Sequence, residues 1–361
     1  MKHKIPPIHY HDYLKLDDVL TEHPLRSEQF GEKAHDENLF ITVHLAYEIW
    51  FKQIIIELDS ILTLFSQDPL KEKQMGLIQA RLRRINEILE LVIQQIPILE
   101  TMTPLDFLDF RDFLYPASGF QSFQFRLIEN KLGLKSKQRI TYNGQAYVNS
   151  LPPKQRELVN LSEQNPNLLQ RVDQWLGRTP FLKTNEFDFW ALYEKAVQQM
   201  FEEEKWMIEK NESLGEVEKK RNYDIIKNSL EIFARLFDES HFQQSGDWNL
   251  SFASIKAALF IQLYRDQPVF QSPFRLITEL IDLDENLSQW RYRHALMVRR
   301  MLGTKIGTGG SSGSEYLKKT SEEHRVFQDF TQLTTFLIPK SKLPELPASL
   351  EGRLGFIYER D

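Results

Sequence analysis

Between Asp36 and Phe65 apolar residues return as Leu39, Phe40, Val43, Tyr47, Trp50, Phe51, Ile54, Leu58, Ile61, Leu62 and Phe65. This 3.6-residue spacing holds for roughly thirty residues. A strand would repeat every second residue, so the spacing predicts one long, deeply buried helix that must pack against other helices. His44 falls on the apolar face, one turn after Phe40, with its imidazole pointing inward. A histidine there is either a satisfied core residue or a functional one, and Phe40 beside it reads as ordinary packing.

The same spacing organises most of the remaining chain. A second helix is expected from Leu70 to Ile96, ended by Pro97. Thr103 and Pro104 read as an N-cap and first helical residue, opening PLDFLDFRDFLY with Phe107 and Arg111 four apart on one face. Arg111 either pairs at the surface with Asp109 or Asp112 or, among Phe107, Leu108, Phe110 and Leu114, is partly buried and needs an anion. Residues 116–119 break that helix, and Ser118 is placed to cap the next, FQSFQFRLIENKL, which stops at Gly133. Residues 135–185, with Pro152, Pro153, Pro166 and Pro180, read as an irregular insert, and Ile140–Val148 as a small hairpin around Asn143-Gly144. Helical spacing returns at 186–211, 218–238, 252–264, 274–302 and 315–337. The expected fold is all-α: an arm over 1–34, a helical body over 35–340 and a tail over 341–361. In the arm, Pro6, Pro7 and Pro24 prevent one long helix, and Tyr10 and Tyr13 stand one turn apart as anchors onto the body or another subunit.

Composition narrows the chemistry. The chain has no cysteine, which excludes disulfides, thiolate metal sites, iron–sulfur clusters and a cysteine nucleophile, so any metal must be held by histidine or carboxylate. A net charge of −6 argues against a general nucleic-acid binder, while the run Arg291, Arg293, Arg299, Arg300 and Lys305 favours a small anion. The N-terminus MKHKIPPIHYHDY has no apolar leader, and no uninterrupted apolar run reaches the length of a membrane span. The expectation is a cytoplasmic protein without membrane or nucleic-acid partners. Residues 290–313, WRYRHALMVRRMLGTKIGTGGSSG, join a basic helix bearing His294 to a loop holding five of the 15 glycines. Such a loop either closes over a small ligand or is a mobile surface segment. It lacks the Gly-Lys-Ser/Thr of a phosphate loop and follows a helix rather than a strand, so neither a nucleotide fingerprint nor a nucleophile elbow at Gly309, Ser311 and Gly313 fits. A single Glu-x-x-His, Glu32 to His35, is too little for a di-iron bundle.

HDENLFITVHLAYEIWFKQI (35–54), FRDFLYPASGFQSFQFR (110–126), WRYRHALMVRRMLGTKIGTGGSSG (290–313) and the N-terminal YHDYLKLDDVL (10–20), in this order, resemble the tryptophan 2,3-dioxygenase family of helical haem enzymes. The resemblance implies a haem-binding bundle of the indole dioxygenase type, with haem b as cofactor and O₂ as co-substrate. Both oxygen atoms enter across the indole C2–C3 bond of L-tryptophan to give N-formyl-L-kynurenine. It implies His294 as the axial iron ligand, His44 as acceptor of the indole N–H and Phe40 as the aromatic packed along the indole. It further implies Arg111 as the carboxylate clamp with Phe107 on the same wall, Thr308 at the ammonium and carboxylate ends, Ser118 and Gly119 over the haem, and Arg126 toward a propionate. Tyr10 and Tyr13 would reach a neighbouring subunit's site in a homotetramer. Two positions depart from the family's pattern: Asn38 stands where methionine is common, and Leu45 where glutamine usually follows the distal histidine. These departures keep open a haem monooxygenase acting on a modified tryptophan or on tyrosine.

Overall fold

The computed structural model describes residues 5–21, 23–67, 69–134, 139, 151–305 and 313–355. Three short helices, α1 (Tyr10–Leu14), α2 (Leu16–Leu20) and α3 (Arg26–Phe30), lead into the long α4 (Glu37–Phe65) that the apolar spacing predicts. α1 and α2 bury none of their residues. The chain first anchors at α3, where the buried carboxylate of Glu37 accepts hydrogen bonds from the backbone N–H of Arg26 at 2.8 Å and Ser27 at 2.9 Å. A carboxylate at those amides meets the positive end of α3 and satisfies donors the helix leaves open.

α5 (Glu72–Gln94) packs against α4, and Arg84 Nη1 reaches the buried Glu57 carboxylate at 2.8 Å. Pro97, expected to end this helix, instead opens α6 (Ile96–Leu99), because proline in a first turn loses no helical hydrogen bond. α7 (Pro104–Arg111) begins as predicted: the Thr103 hydroxyl accepts from the Asp106 N–H at 3.3 Å, and the Asp106 carboxylate accepts from the Thr103 N–H at 2.8 Å. Ser118 caps only a short 3₁₀ turn, Gly119–Gln121, and Ser122 caps α8 (Phe123–Leu132). α8 ends at Gly133 with φ of 117°, where an added Cβ would lie 2.8 Å from Asn167 Oδ1, so glycine is required.

The second half of the expected irregular insert is helical: α9 (Pro153–Gln164) and α10 (Leu168–Leu176). Its prolines punctuate helices without breaking them, Pro152 standing as N-cap, Pro153 at the first position and Pro166 between the two. The expected hairpin at 140–148 lies outside the described residues. Among those described there is no strand, only the isolated bridge of Lys183 with Asp188. α11 (Phe189–Lys210), α12 (Glu216–Phe237), α13 (Glu239–Ser245), α14 (Phe252–Leu263) and the 35-residue α15 (Pro268–Leu302) follow. The single helix expected over 315–337 is divided into α16 (Gly313–Glu323), α17 (Gln328–Gln332) and a 3₁₀ turn. Buried carboxylates hold the bend between them and the segment beside it: Asp284 accepts from the Val326 N–H at 2.7 Å, and Asp329 from the N–H groups of Asn249 and Leu250, each at 2.7 Å. α18 (Ala348–Leu354) lays Leu350 and Leu354 into the main core.

That core spans α4, α5, α8, α10 to α12, α14 and α15, with α14 buried on nearly every side. A smaller cluster gathers Val43, Leu99, Met102, Phe107, Phe110, Met297 and Met301. Tyr47 and Trp290 pack against both clusters, so α4 and α15 run through the junction between them.

Candidate active site

At that junction lies a cavity of about 230 Å³, far larger than the packing voids of a well-filled interior. One wall is α4, which presents Phe40, His44, Tyr47 and Phe51; the opposite wall is α15, with Trp290, Arg291, His294 and Met297. Ser118, Gly119, Phe125 and Arg126 close one side, Phe107 of α7 another, and His324 the end beyond α16. The positions on each helix recur every three or four residues, which is how a helix turns one stripe toward a ligand.

His44 has its tautomer set by its own helix. Its Nδ1 lies 2.6 Å from the Phe40 carbonyl, which can only accept, so Nδ1 carries the proton and Nε2 is left as a lone-pair acceptor. Burial lowers its pKa, against the opposing pull of the Phe40 carbonyl and Glu48, and the ring is neutral at pH 7. The Phe40 ring sits 4.1 Å from the imidazole, centroid to centroid, and 5.8 Å from Phe107, making a continuous aromatic wall.

His294, half-buried like His44, stands on the α15 wall. Desolvation, aided by the field of His44, brings its pKa down to about 4. Its ring packs on Trp290 with centroids 5.3 Å apart, and its Nδ1 is buried without a hydrogen-bond partner. A neutral imidazole held by packing and facing a cavity is a donor in want of an acceptor, and a metal ion is the group that satisfies one.

Next to it lies a cluster of buried charge that no sequence pattern brings together. Glu129, 2% exposed, accepts from Arg126 Nη1 at 2.9 Å and Arg291 Nη2 at 3.0 Å, with His324 Nδ1 at 3.7 Å and Arg139 Nη2 at 4.0 Å. Burial pushes the Glu129 carboxyl up, but Arg126, the His324 hydrogen bond, Arg291 and Arg139 outweigh it and hold it well below the usual carboxylate range. The spacing of Arg126 and Glu129, three apart on one helix, was the available signal; that of Arg291 to Glu129, 162 residues apart, was not. The expected basic run of 291–305 is thereby divided: Arg291 is buried on Glu129, while Arg293 and Arg300 lean toward Glu100.

Of the residues singled out from sequence, the cavity gathers His44, Phe40, Phe107, Ser118, Gly119, Arg126 and His294. Arg111 does not join them. It sits half-buried at the carboxyl end of α7, one turn beyond Phe107 and outside the lining. Tyr10 and Tyr13, 73% and 70% exposed, touch no part of the cavity in their own chain. Thr308 lies outside the described residues. Leu45 is exposed and Asn38 is exposed in the first turn of α4, so both departures from the family's pattern face away from the cavity. A helix rotates about 100° per residue, which carries Leu45 off the face of His44 despite their adjacency.

Comparison with known proteins agrees with this geometry. The family model described as tryptophan 2,3-dioxygenase matches residues 3–337. The chain is 50% identical to the tryptophan 2,3-dioxygenase of Bdellovibrio bacteriovorus over 359 residues, covering 98% of this chain and 100% of the relative. It is 47% identical to that of Alteromonas mediterranea, covering 99% and 100%, and 46% identical to tryptophan 2,3-dioxygenase A of Danio rerio, covering 94% and 84%. A helical scaffold with paired histidines across one cavity, and matches at this level along nearly the whole length, place the chain in one group: it belongs to the tryptophan 2,3-dioxygenase family.

Proposed function

We propose that this chain is a tryptophan 2,3-dioxygenase that inserts both atoms of O₂ across the indole C2–C3 bond of L-tryptophan, giving N-formyl-L-kynurenine, with haem b as cofactor. The observation that carries the reading is the pair of neutral histidines, His44 and His294, on opposite walls of one apolar cavity. The cavity fits haem on two counts. His294 supplies a neutral nitrogen donor with no competing cysteine in the chain, and Arg126 and Arg291 supply cationic groups in an otherwise apolar lining, where propionates need them. Haem, when bound with ferrous iron, supplies the activation of O₂.

The protein's own part is positioning. His44 Nε2 accepts the indole N–H, because Nδ1 is already committed to Phe40. Phe40 and Phe107 pack along the indole, and Ser118 and Gly119 complete the wall over the cofactor. Arg111 takes the substrate carboxylate and Thr308 the polar ends of the amino acid, with the Arg111 guanidinium swinging in from the edge of the cavity that Phe107 lines. Arg111→Ala is expected to raise KM for L-tryptophan on the order of 10²-fold, the worth of a lost charge-assisted pair, while haem content stays unchanged. Equal loss of haem and substrate binding would make Arg111 a structural residue.

The monooxygenase alternative is not favoured, since Asn38 and Leu45, the departures that left it open, lie off the cavity. Aerobic incubation of the reduced, haem-loaded protein with L-tryptophan under ¹⁸O₂ decides the reaction. Two labelled atoms in a formylkynurenine product are expected; one atom in a hydroxylated product would overturn the assignment. We place the enzyme in the cytoplasm as a homotetramer. The multi-subunit reading is supported by α1 and α2, which bury nothing in their own chain and leave Ile8, Tyr10 and Tyr13 exposed for a neighbour.

A further inference from the structure

The cavity has one charged wall, and a single carboxylate organises it. Arg126 of α8, Arg291 of α15 and His324 all line the cavity, and each meets Glu129. The two carboxylate oxygens are divided between the helices: Oε2 accepts from Arg126 Nη1 at 2.9 Å and Oε1 from Arg291 Nη2 at 3.0 Å. Arg291 is fixed at its other terminal nitrogen too, donating from Nη1 to the His324 carbonyl at 3.1 Å. Both arginines are buried, and both guanidinium groups also pack on the Phe125 ring, with Cζ 5.9 Å from its centroid for Arg126 and 5.7 Å for Arg291. Phe125 packs on Trp290 at 4.9 Å and Trp290 on His294 at 5.3 Å, centroid to centroid. Arg291 precedes His294 by three residues, which puts the two on one face of α15. The cage around Glu129 and the iron-ligand position thus belong to one packed unit.

We propose that Glu129 is a positioning residue for the cofactor: it holds the guanidinium groups of Arg126 and Arg291 at the cavity wall so that they meet the haem carboxylates together. The inference rests on the haem reading of the cavity and adds the residue that arranges its cationic side. Two guanidinium groups in an apolar interior repel each other, and each gains by swinging toward water unless an anion lies with them. Fixed on a shared carboxylate, they need little further ordering when a second anion arrives. A guanidinium carries five N–H donors, and Glu129 takes one from each, so it secures the pair without exhausting it. Competition is the opposing effect, since a carboxylate on the same arginines weakens their pull on the propionates. Positioning is the larger of the two. The Glu129 charge is divided among Arg126, Arg291, His324 and Arg139, so it offsets only part of each arginine's field, whereas its loss releases buried cations on α8 and α15 at once.

The test measures release of cofactor from the full-length, loaded protein to excess apomyoglobin at pH 7, for haem b and for its dimethyl ester, in which both carboxylates are blocked. The wild type is expected to release the ester on the order of 10–100-fold faster than haem, the worth of one or two charge-assisted hydrogen bonds. Glu129→Gln keeps an acceptor oxygen for one guanidinium but turns an amide NH₂ on the other, and is expected to release haem about 10-fold faster than the wild type does. Its release of the ester should match that of the wild type, because arginines with no carboxylate to meet have nothing to lose. A merely structural role would loosen the cavity and speed release of both cofactors alike, and that outcome overturns the proposal. Slower release of haem from Glu129→Gln overturns it too, by making Glu129 a competitor of the propionates. Should Glu129→Gln not accumulate as folded protein, Glu129→Asp, which keeps the charge on a shorter stem, is expected to show the same haem-selective loss at smaller size, and equal loss of both cofactors from it counts against the proposal in the same way. A wild type that holds haem and ester equally overturns the positioning role while leaving the haem reading intact. A wild type that takes up no haem overturns both.

Discussion

Replacing His294 with alanine is expected to abolish the histidine-type Soret spectrum of the purified protein while leaving its helix content and melting temperature nearly unchanged. The two halves of this expectation have separate causes. His294 is the half-buried imidazole on the α15 wall of the cavity, and its pKa of about 4 keeps it a neutral donor across the physiological range. Without it no other nitrogen on the α15 wall can ligate an iron. The fold, by contrast, loses little. His294 Nδ1 has no protein partner, so removing the imidazole removes an unsatisfied polar atom together with some packing against Trp290. The net change should stay within about 1–2 kcal/mol. Added imidazole should restore part of the spectrum by entering the space the side chain leaves. His324 provides the contrast, since it lines the same cavity but is engaged with Glu129. His324→Ala should keep the Soret band, and a band that survives His294→Ala but not His324→Ala would reverse the assignment of the ligand.

The second large effect belongs to Glu129. Glu129→Leu is expected to destabilise the apoprotein by roughly 3–5 kcal/mol, because it strands the guanidinium groups of Arg126 and Arg291 in the interior without the carboxylate they share. The same cluster predicts a dependence on pH. The Glu129 carboxyl titrates well below its ordinary value of 4.5, so the folded state binds its proton less readily than the unfolded chain does. Its contribution is therefore complete above about pH 4.5 and is lost as the pH falls toward the depressed native value. Thermal melts of the wild type should show stability declining below pH 4.5, and Glu129→Gln, less stable at pH 7, should lack that part of the decline. Parallel pH profiles for the two proteins would show that the carboxylate is not the titrating group.

Much of the scaffold was legible because it depends on neighbours along the chain. The apolar spacing of 39–65 predicted α4 and the inward turn of His44, and Thr103-Pro104 marked the start of α7 to the residue. Gly133 ends α8 because only glycine tolerates that backbone angle against Asn167. The misreadings share a cause too. Pro97, Pro152 and Pro153 looked like interruptions, since composition counts prolines without knowing whether each falls inside a helix or in its first turn. The bend between α16 and α17 was invisible because the carboxylates that hold it in place, on Asp284 and Asp329, are far off or act on distant amides.

The sequence by itself thus determined most of the long helices, the cap of α7 and the inward face of α4, since periodicity and capping are properties of a few consecutive residues. Only the tertiary structure decided what those faces meet. It set His44 and His294 across one cavity although 250 positions separate them in the chain. It also left Arg111 at the rim, turned Leu45 away from the histidine beside it, and gathered Arg126, Arg291, Arg139 and His324 on Glu129. Buried charges must find partners wherever the packing places them, and helix packing brings together residues that no local pattern relates.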